Sequence, residues 1–145
     1  MFEENRATVR RFFEECWNQG NLQHIEDMVT RDYRHQDPVF PAMGSGTESL
    51  RRQIQMCRNA FPDIHVSIGN EIAERDEVVI QWLASGTHEG LFLGLEGTGK
   101  QVKVSGTSIF RLKDGKIADQ WAEWNLVSLL HQIGFAMPSM KMSAS

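Results

Sequence analysis

The spacing of apolar residues changes period once along the chain. Before Pro62 it follows the 3.6-residue period of amphipathic helices. From Ile64 onward apolar and polar residues alternate, as they do in strands that bury one face. The order predicts helices first and then a meander of four long antiparallel strands, which is an α+β layout. The positions that recur at helical spacing are Val9, Phe12, Phe13, Cys16 and Trp17, and later Leu50, Ile54, Cys57 and Phe61.

Capping and breaking residues set the expected limits of the helices. The first helix should run from about residue 3 to residue 18 and stop at Gly20. Asn21 can cap a short second helix, and Ser45-Gly46-Thr47-Glu48 fits a capping box for the third. Residues 32–38 form a short extended segment, and a last short helix follows residue 125. The apolar face of the second helix would hold Leu22, Ile25, Met28 and Val29.

The clearest local signal is the stretch from Val102 to Asn125. Two alternating runs flank Asp114-Gly115, a dipeptide that favours the positive φ angles of a hairpin turn. One face of this hairpin should line any pocket that the protein has. The strand before it should turn one face inward, with Val78, Ile80, Trp82, Ala84 and His88 on that face.

Composition and charge narrow the classes of function. At 145 residues, 41% apolar and 23% charged, the chain fits one globular domain, which we place at residues 1–135 with a loosely held tail at 136–145. The net charge of -4 argues against nucleic acid, and no apolar run reaches the ~18 residues of a membrane span. Cys16 and Cys57 are expected to be reduced core thiols of a cytoplasmic protein. No CxxC or HExxH spacing indicates a metal site.

Two groups of residues are candidates for proton transfer. His35 and Asp37 are two apart on an extended segment, so their side chains should point the same way. A carboxylate beside an imidazole orients it as a proton carrier. His88 ends a strand on the face of Trp82, where it can project beside an apolar wall. If they are not catalytic, His35 and Asp37 would be an exposed polar pair at a strand end, and His88 would be a structural histidine bonded to backbone.

Aromatic residues are more often core than pocket. Four tryptophans in a small domain nevertheless favour a pocket for a flat ligand. The set comprises Trp17, Trp82, Trp121, Trp124, Phe92 and Phe110.

Several motifs in order along the chain resemble those of the SnoaL-like polyketide cyclases. The resemblance covers nearly the whole chain. It implies the nuclear transport factor 2-like fold, a cone-shaped curved antiparallel sheet with helices packed on its concave face. It also implies a deep pocket and a homodimer formed through the sheet. The motifs are Tyr33-Arg34-His35-Gln36-Asp37-Pro38, Phe61-Pro62-Asp63-Ile64-His65-Val66, Gly86-Thr87-His88-Glu89-Gly90-Leu91-Phe92-Leu93-Gly94, Ile109-Phe110-Arg111, Asp114-Gly115-Lys116-Ile117 and Leu129-Leu130-His131-Gln132-Ile133-Gly134.

The resemblance also implies a chemistry. The founding cyclases close a polyketide ring by intramolecular aldol condensation, without metal or cofactor, and use an aspartate on the final strand as acid and base. Aligned through the hairpin and the last helix, that aspartate falls at Ala122, and a histidine that partners it falls at Ser108. Neither residue can do the same proton transfer. Glu123 is adjacent, but a one-residue shift on a strand points to the other face unless a bulge intervenes.

The family places the positions of Ser108 and Ala122 together, which constrains the hairpin loop. A loop of only Asp114 and Gly115 would not put them on one face. A longer loop with Gly115 in a bulge would, so we expect the longer loop.

These observations predict a cofactor-free SnoaL-like enzyme, an aldol cyclase or related isomerase or lyase, that acts on a polyketide-like or other apolar carbonyl compound. Its catalytic group would be His88, or His35 assisted by Asp37. The expected partner is a small apolar or aromatic ligand, with no nucleic acid, membrane, metal or cofactor. The expected substrate-binding residues are Trp17, Tyr33, Phe40, Trp82, Phe92, Ser108, Phe110, Gln120 and Trp124.

Other functions remain open on the same fold. The loss of the cyclase acid at Ala122 favours a non-catalytic dimeric protein that binds a small ligand. An epoxide hydrolase would need an arginine between two aspartates in the pocket, and the assigned inward positions offer only Asp37. A hydroxylation role would need a partner reductase.

Overall fold

The computed structural model describes residues 2–37 and 45–135. Within these ranges the chain forms four α-helices, one π-helical segment and five strands, which confirms the α+β layout. Phe40 and the expected tail at 136–145 lie outside the described residues. The helices are α1 (Phe2–Arg11), continued by the π-helical segment Phe12–Asn18, then α2 (Ile25–Met28), α3 (Thr47–Ala60) and α4 (Leu126–Gln132). The strands are β1 (Val29–Gln36), β2 (His65–Glu74), β3 (Glu77–Thr87), β4 (Gln101–Lys113) and β5 (Lys116–Trp124).

The five strands form one open, mixed sheet in the order β1-β5-β4-β3-β2. Strands β2 to β5 are the predicted antiparallel meander. The short extended segment is a full edge strand, β1, which runs parallel to β5. It already begins at Val29, so the expected place of Val29 on the second helix is wrong. A parallel edge requires a crossover connection, and α3 lies on the chain between β1 and β2.

The predicted capping box at the start of α3 is wrong. Gly46 occupies the N-cap with φ of 93°, and no side chain caps the helix there. The hydroxyl of Thr47 instead donates to the backbone oxygen of Thr30, 3.0 Å away. That bond ties the start of α3 to β1, so a tertiary contact has replaced the local one.

The hairpin between β4 and β5 closes tightly, and the expected longer loop is wrong. Lys113 pairs with Lys116, so the loop holds only Asp114 and Gly115, with φ of 52° and 79°. Positive φ at both residues is what a type I′ turn requires.

A β-bulge on β5 then restores the pairing that the family implies. Leu112 pairs with Ile117, but Arg111 pairs with Asp119, so Ala118 is the extra residue. Beyond the bulge, Ser108 stands opposite Ala122. Both are buried, whereas Glu123 is exposed.

The main core lies between the helices and the inner face of the sheet. It includes Phe12 and Cys16 of the π-helical segment, Ile54 of α3, and Ile80 and Phe110 of the sheet. A second cluster of buried apolar residues joins the end of α3, the β3–β4 loop and α4. No helix among the described residues is long and apolar enough to cross a bilayer.

Candidate functional site

A largely apolar cavity lies between the inner face of the sheet and the helices. Its empty space, counted with the solvent in its open mouth, is about 830 Å³. Phe13 and Trp17 reach it from the π-helical segment, four residues apart. Its remaining described lining residues are His35, Asp37, Gln53, Cys57, Phe61, Ile64, Val66, Trp82, Ala84, Ser85, Gly86, Phe92, Val102, Val104, Ser108, Gln120, Ala122, Trp124 and Leu129.

A chain of hydrogen bonds runs along one wall of the cavity. The Tyr33 hydroxyl lies 2.7 Å from His35 Nδ1 and donates to Gln120 Oε1 at 2.8 Å. Gln120 Nε2 in turn donates to Ser108 Oγ at 3.1 Å. These hydrogen bonds therefore connect side chains of β1, β5 and β4 along the wall.

This chain of bonds fixes the tautomer of His35. Because Tyr33 gives its one hydroxyl hydrogen to Gln120, it can only accept from His35, so His35 Nδ1 carries the hydrogen. Burial, with a smaller effect of the Asp37 and Asp119 charges, raises the pKa of the Tyr33 phenol well above its usual value, so the phenol keeps its proton. His35 Nε2 is then the ring's acceptor, and Gln53 Nε2 donates to it at 3.2 Å.

Asp37 lies beside that acceptor nitrogen. Its Oδ2 is 3.5 Å from His35 Nε2, and the indole Nε1 of Trp124 donates to it at 3.1 Å. The side chains of His35 and Asp37 are only 7% and 3% exposed. The arrangement places a basic nitrogen and a carboxylate together at the wall of an apolar cavity.

Ser108, on β4, is the last residue in this chain of hydrogen bonds. Its Oγ accepts from Trp82 Nε1 at 3.0 Å as well as from Gln120. Trp82 can reach it because Gly106, its cross-strand partner, has no side chain. A Cβ at Gly106 would lie 2.3 Å from the Trp82 ring. The glycine therefore positions the indole against the sheet.

Cys57 faces the same cavity from α3. Burial, with a smaller contribution from the Asp37 charge, raises the pKa of its thiol to about 12. The thiol is therefore protonated at neutral pH and a poor nucleophile. Within the described parts of the chain, no cluster of three or more His, Cys, Asp and Glu side chains could hold a metal ion.

Most of the predicted site residues do line this cavity. They are Trp17, His35, Asp37, Trp82, Phe92, Ser108, Gln120 and Trp124. Tyr33 is buried behind the wall and contacts the cavity only through His35 and Gln120. Phe110 is fully buried in the core, where its ring packs edge-on against those of Phe12 and Phe13.

His88 is fully buried, and it is not one of the described lining residues. Its ring packs on Phe61, with centroids 5.4 Å apart, and Phe61 is part of the cavity wall. Thr98 holds its Nδ1 through the hydroxyl at 3.1 Å and the backbone N–H at 3.4 Å. Nε2 has no hydrogen-bond partner among the described residues. The catalytic role of His88 stays a prediction.

Gln53, Cys57 and Phe61 are lining residues that the prediction of the site omitted. Gln53 and Cys57 stand four residues apart on α3, and Phe61, four residues further along, is the C-cap of that helix. The signal was present, because Cys57 and Phe61 belong to the recognised apolar stripe of that helix. A glutamine one turn before them could have been identified as its polar member.

A second buried carboxylate, Asp119, lies on the other face of the sheet. Arg34 Nε donates to its Oδ1 at 2.9 Å, and Arg111 Nε donates to its Oδ2 at 2.7 Å. Asp119 stands next to both arginines in the strand register. Among the described cavity-lining residues there is no arginine and no aspartate besides Asp37, so the acid–arginine set that an epoxide hydrolase needs is not found there.

Comparison with known proteins identifies the family. The sequence profile of the SnoaL-like polyketide cyclases matches residues 7–133. The chain belongs to this family. No curated protein matches the chain. The recognition of the SnoaL-like family and of its fold from sequence is therefore confirmed.

Solved structures agree with the SnoaL-like assignment. TsrD from Streptomyces laurentii is 26% identical, with a TM-score of 0.84 over 92% of this chain and 97% of that one. A candidate SnoaL-like polyketide cyclase from Jannaschia sp. CCS1 is 27% identical, with a TM-score of 0.85 over 94% and 95%. IdmH from Streptomyces antibioticus, at 23% identity and a TM-score of 0.76 over 90% and 98%, supports the fold alone.

Proposed function

We propose that this SnoaL-like protein is a cofactor-independent enzyme that performs acid/base chemistry on an apolar, polyketide-like carbonyl compound. The observation that carries the proposal is the His35–Asp37 pair, shielded from solvent at the wall of an apolar cavity. His35 acts as the base, because its acceptor nitrogen is the one beside Asp37 and its other nitrogen is committed to Tyr33.

The proposed step balances without an added reactant. When the substrate displaces the Gln53 amide from His35 Nε2, this nitrogen takes a proton from the carbon next to the substrate's carbonyl group. The C–H electron pair forms the C=C bond of an enolate, and the π electrons of the carbonyl group move to its oxygen. The enolate carbon attacks a second carbonyl of the same molecule, a C–C bond forms, and the new alkoxide takes the proton back from the imidazolium. While the ring holds the proton, the Asp37 carboxylate 3.5 Å away stabilises its charge.

Strand register supports a move of the acidic group from β5 to β1. Gln36, the last residue of β1, pairs with Trp121 in the parallel β1–β5 ladder, and the next residues along the chain are Asp37 and Ala122. Asp37 would therefore supply, from the neighbouring strand, the carboxylate that the resemblance implies at position 122. Asp37, Ala122 and Ser108 all line the cavity, and Ala122 has the smallest side chain of the three.

Ring closure of polyketide keto-esters tests the proposal. We expect turnover by the wild-type protein and its loss in His35→Ala and Asp37→Asn. The matched control is His131→Ala, because His131 is exposed on α4. Wild-type turnover that persists in His35→Ala would show that the base lies elsewhere. No product with any keto-ester, together with recovery of the bound compound unchanged, would favour the alternative of a non-catalytic ligand-binding protein.

We further propose that the protein is a homodimer joined through the outer face of the sheet. Four cross-strand neighbours there form an apolar row, namely Ile72, Val79, Ile109 and Trp121. Ile72 is 65% exposed and Ile109 is 36% exposed. A two-fold axis would bury the same row on both copies.

Sedimentation analysis tests the dimer. Ile109→Lys should convert it to a monomer, whereas Leu91→Lys, on an equally apolar but distant loop position, should leave it unchanged. A wild-type protein that sediments as a monomer would refute this interface.

A further inference from the structure

We propose that the hydroxyl hydrogen of Ser108 is the group that binds the carbonyl oxygen of the ligand, and that the ligand is a neutral ketone or ester. The binding claim stands on the geometry of the cavity wall. Its extension to catalysis, that this oxygen is the one that becomes the enolate, rests on the function proposed above.

Two N–H groups donate to the hydroxyl oxygen of Ser108. The indole N–H of Trp82 can only donate. The amide nitrogen of Gln120 also donates, because the oxygen of the same amide accepts from Tyr33. Both lone pairs of Ser108 Oγ are therefore occupied by N–H donors, at 3.0 and 3.1 Å. The hydroxyl of Ser108 can therefore take part in one further hydrogen bond, as the donor.

The surroundings of Ser108 decide which acceptor its hydroxyl hydrogen can reach. Ser108 is 1% exposed and lines the cavity, and no acceptor for its hydrogen is found among the described residues. A buried donor without an acceptor is costly, and it is satisfied when an acceptor enters the site. Ala122, directly opposite in the strand register, also lines the cavity, and its side chain offers no acceptor.

The residues that line the cavity favour an acceptor without charge. The described lining residues include no lysine or arginine, and Asp37 already brings a carboxylate to the wall. A carboxylate ligand would lose its hydration without gaining a cationic partner, which is unfavourable. A neutral carbonyl oxygen accepts the hydrogen bond without that loss. The two N–H groups also polarise the hydroxyl, so that its bond strengthens as negative charge develops on the oxygen.

Three tricyclic probes test this inference without turnover. 9-Fluorenone carries one carbonyl oxygen and no C–H next to it, fluorene lacks the oxygen, and fluorene-9-carboxylate carries a charge. We expect the wild-type protein to bind 9-fluorenone about tenfold more tightly than fluorene, the value of one hydrogen bond, and more tightly than the carboxylate. The carbonyl stretch of bound 9-fluorenone should move to lower wavenumber.

Variants then assign the bond to Ser108. Ser108→Ala should abolish the preference for the ketone and return the carbonyl stretch to its value in an apolar solvent, whereas Ser108→Thr should keep both. Ser108→Ala also leaves two buried N–H donors without an acceptor. If it does not fold, Ser108→Cys decides, because a thiol is a weaker donor and must give a smaller shift.

The outcomes separate this inference from the proposed function. His35→Ala should retain the preference for the ketone even though it loses turnover. Equal binding of the ketone and the hydrocarbon by the wild-type protein would overturn the assignment, as would an unchanged carbonyl stretch in a folded Ser108→Ala or Ser108→Cys variant. A protein that keeps the Ser108-dependent shift but turns over no keto-ester would fail only the catalytic proposal.

Discussion

His35 and His88 are both shielded from solvent, and both were candidates for the catalytic base, but they lie in different surroundings. His35 is held at the cavity wall by the Tyr33 phenol, with its second nitrogen beside Asp37. His88 is packed behind Phe61, and Thr98 of the adjoining loop holds its ring. His35 borders a space that a ligand can enter, whereas His88 is hydrogen-bonded to Thr98 of the loop between β3 and β4.

The comparison teaches that burial alone does not identify a catalytic histidine. What distinguishes His35 is the surroundings of its two ring nitrogens. Nδ1 is held by the Tyr33 hydroxyl, which itself bonds to Gln120, and Nε2 lies beside the carboxylate of Asp37. At His88 the same fixing exists on Nδ1, but an aromatic ring stands between it and the cavity. Two predictions test this difference, and two more test the burial and charge around Cys57 on the His35 side of the cavity.

The largest effect should come from removal of the two imidazoles in turn. His35→Ala should lower kcat at least about 100-fold, the usual contribution of a general base. His88→Gln should retain turnover close to wild type, because an amide can still accept from Thr98. Steady-state rates at a temperature where circular dichroism shows both variants to be folded give the answer. Equal losses in the two variants would remove the distinction.

A smaller effect should follow from changes to the side chains that hold each ring. Tyr33→Phe removes the hydroxyl between His35 and Gln120, so kcat should fall about tenfold, the value of one hydrogen bond. Thr98→Val removes the hydroxyl that binds His88 Nδ1 and should cost about 1 kcal/mol in the free energy of unfolding, with kcat unchanged. Urea denaturation and steady-state kinetics on both variants form the test. A rate loss in Thr98→Val would place His88 in the reaction.

Alkaline pH should weaken the fold through the thiol on the His35 side of the cavity. The pKa of Cys57 is raised to about 12 in the folded chain, so its contribution to stability is complete below the unfolded value and is lost as the pH rises toward 12. The melting temperature should therefore fall above about pH 8.5. The fall should be smaller in Cys57→Ala but not absent, because the pKa of Cys16 is also raised to about 12. Equal pH dependence in both proteins would show that Cys57 ionises freely.

The smallest effect should be a few-fold change in thiol reactivity. The Asp37 charge is the second cause of the raised Cys57 pKa, after burial. In a Cys16→Ser background, Asp37→Asn should therefore lower the Cys57 pKa and speed its alkylation by iodoacetamide at pH 9. Asp32→Asn, which removes an exposed carboxylate of β1, is the control. No difference between the two variants would show that Asp37 does not affect the pKa of this thiol.

Much of this arrangement was readable in the sequence. The helical stripe of α3, the alternation of β2 to β5, the Asp114-Gly115 turn and the family motifs all depend on residues close together in the chain. So does the pairing of His35 with Asp37, because residues two apart on a strand share a face. Local spacing was enough for these features, and it also placed Trp17, Trp82 and Trp124 at the cavity.

The errors arose where a distant segment decided the outcome. The capping box failed because Thr47 bonds to β1 instead. The hairpin loop was misjudged because the register change occurs at Ala118, beside the point where Arg34 and Arg111 converge on Asp119 from neighbouring strands. No local pattern announces a bulge that depends on three strands.

The sequence by itself determined the family, the order of the elements, the turn at Asp114-Gly115 and the residues that could carry chemistry. Only the tertiary structure decided which of them meet. The parallel pairing of β1 with β5 brought Tyr33 and His35 to Gln120, and the bulge turned Gln120 and Ala122 toward Ser108. Hydrogen-bond direction depends on atoms contributed by separate strands, so the proposals of a base at His35 and a donor at Ser108 needed those strands to be assembled.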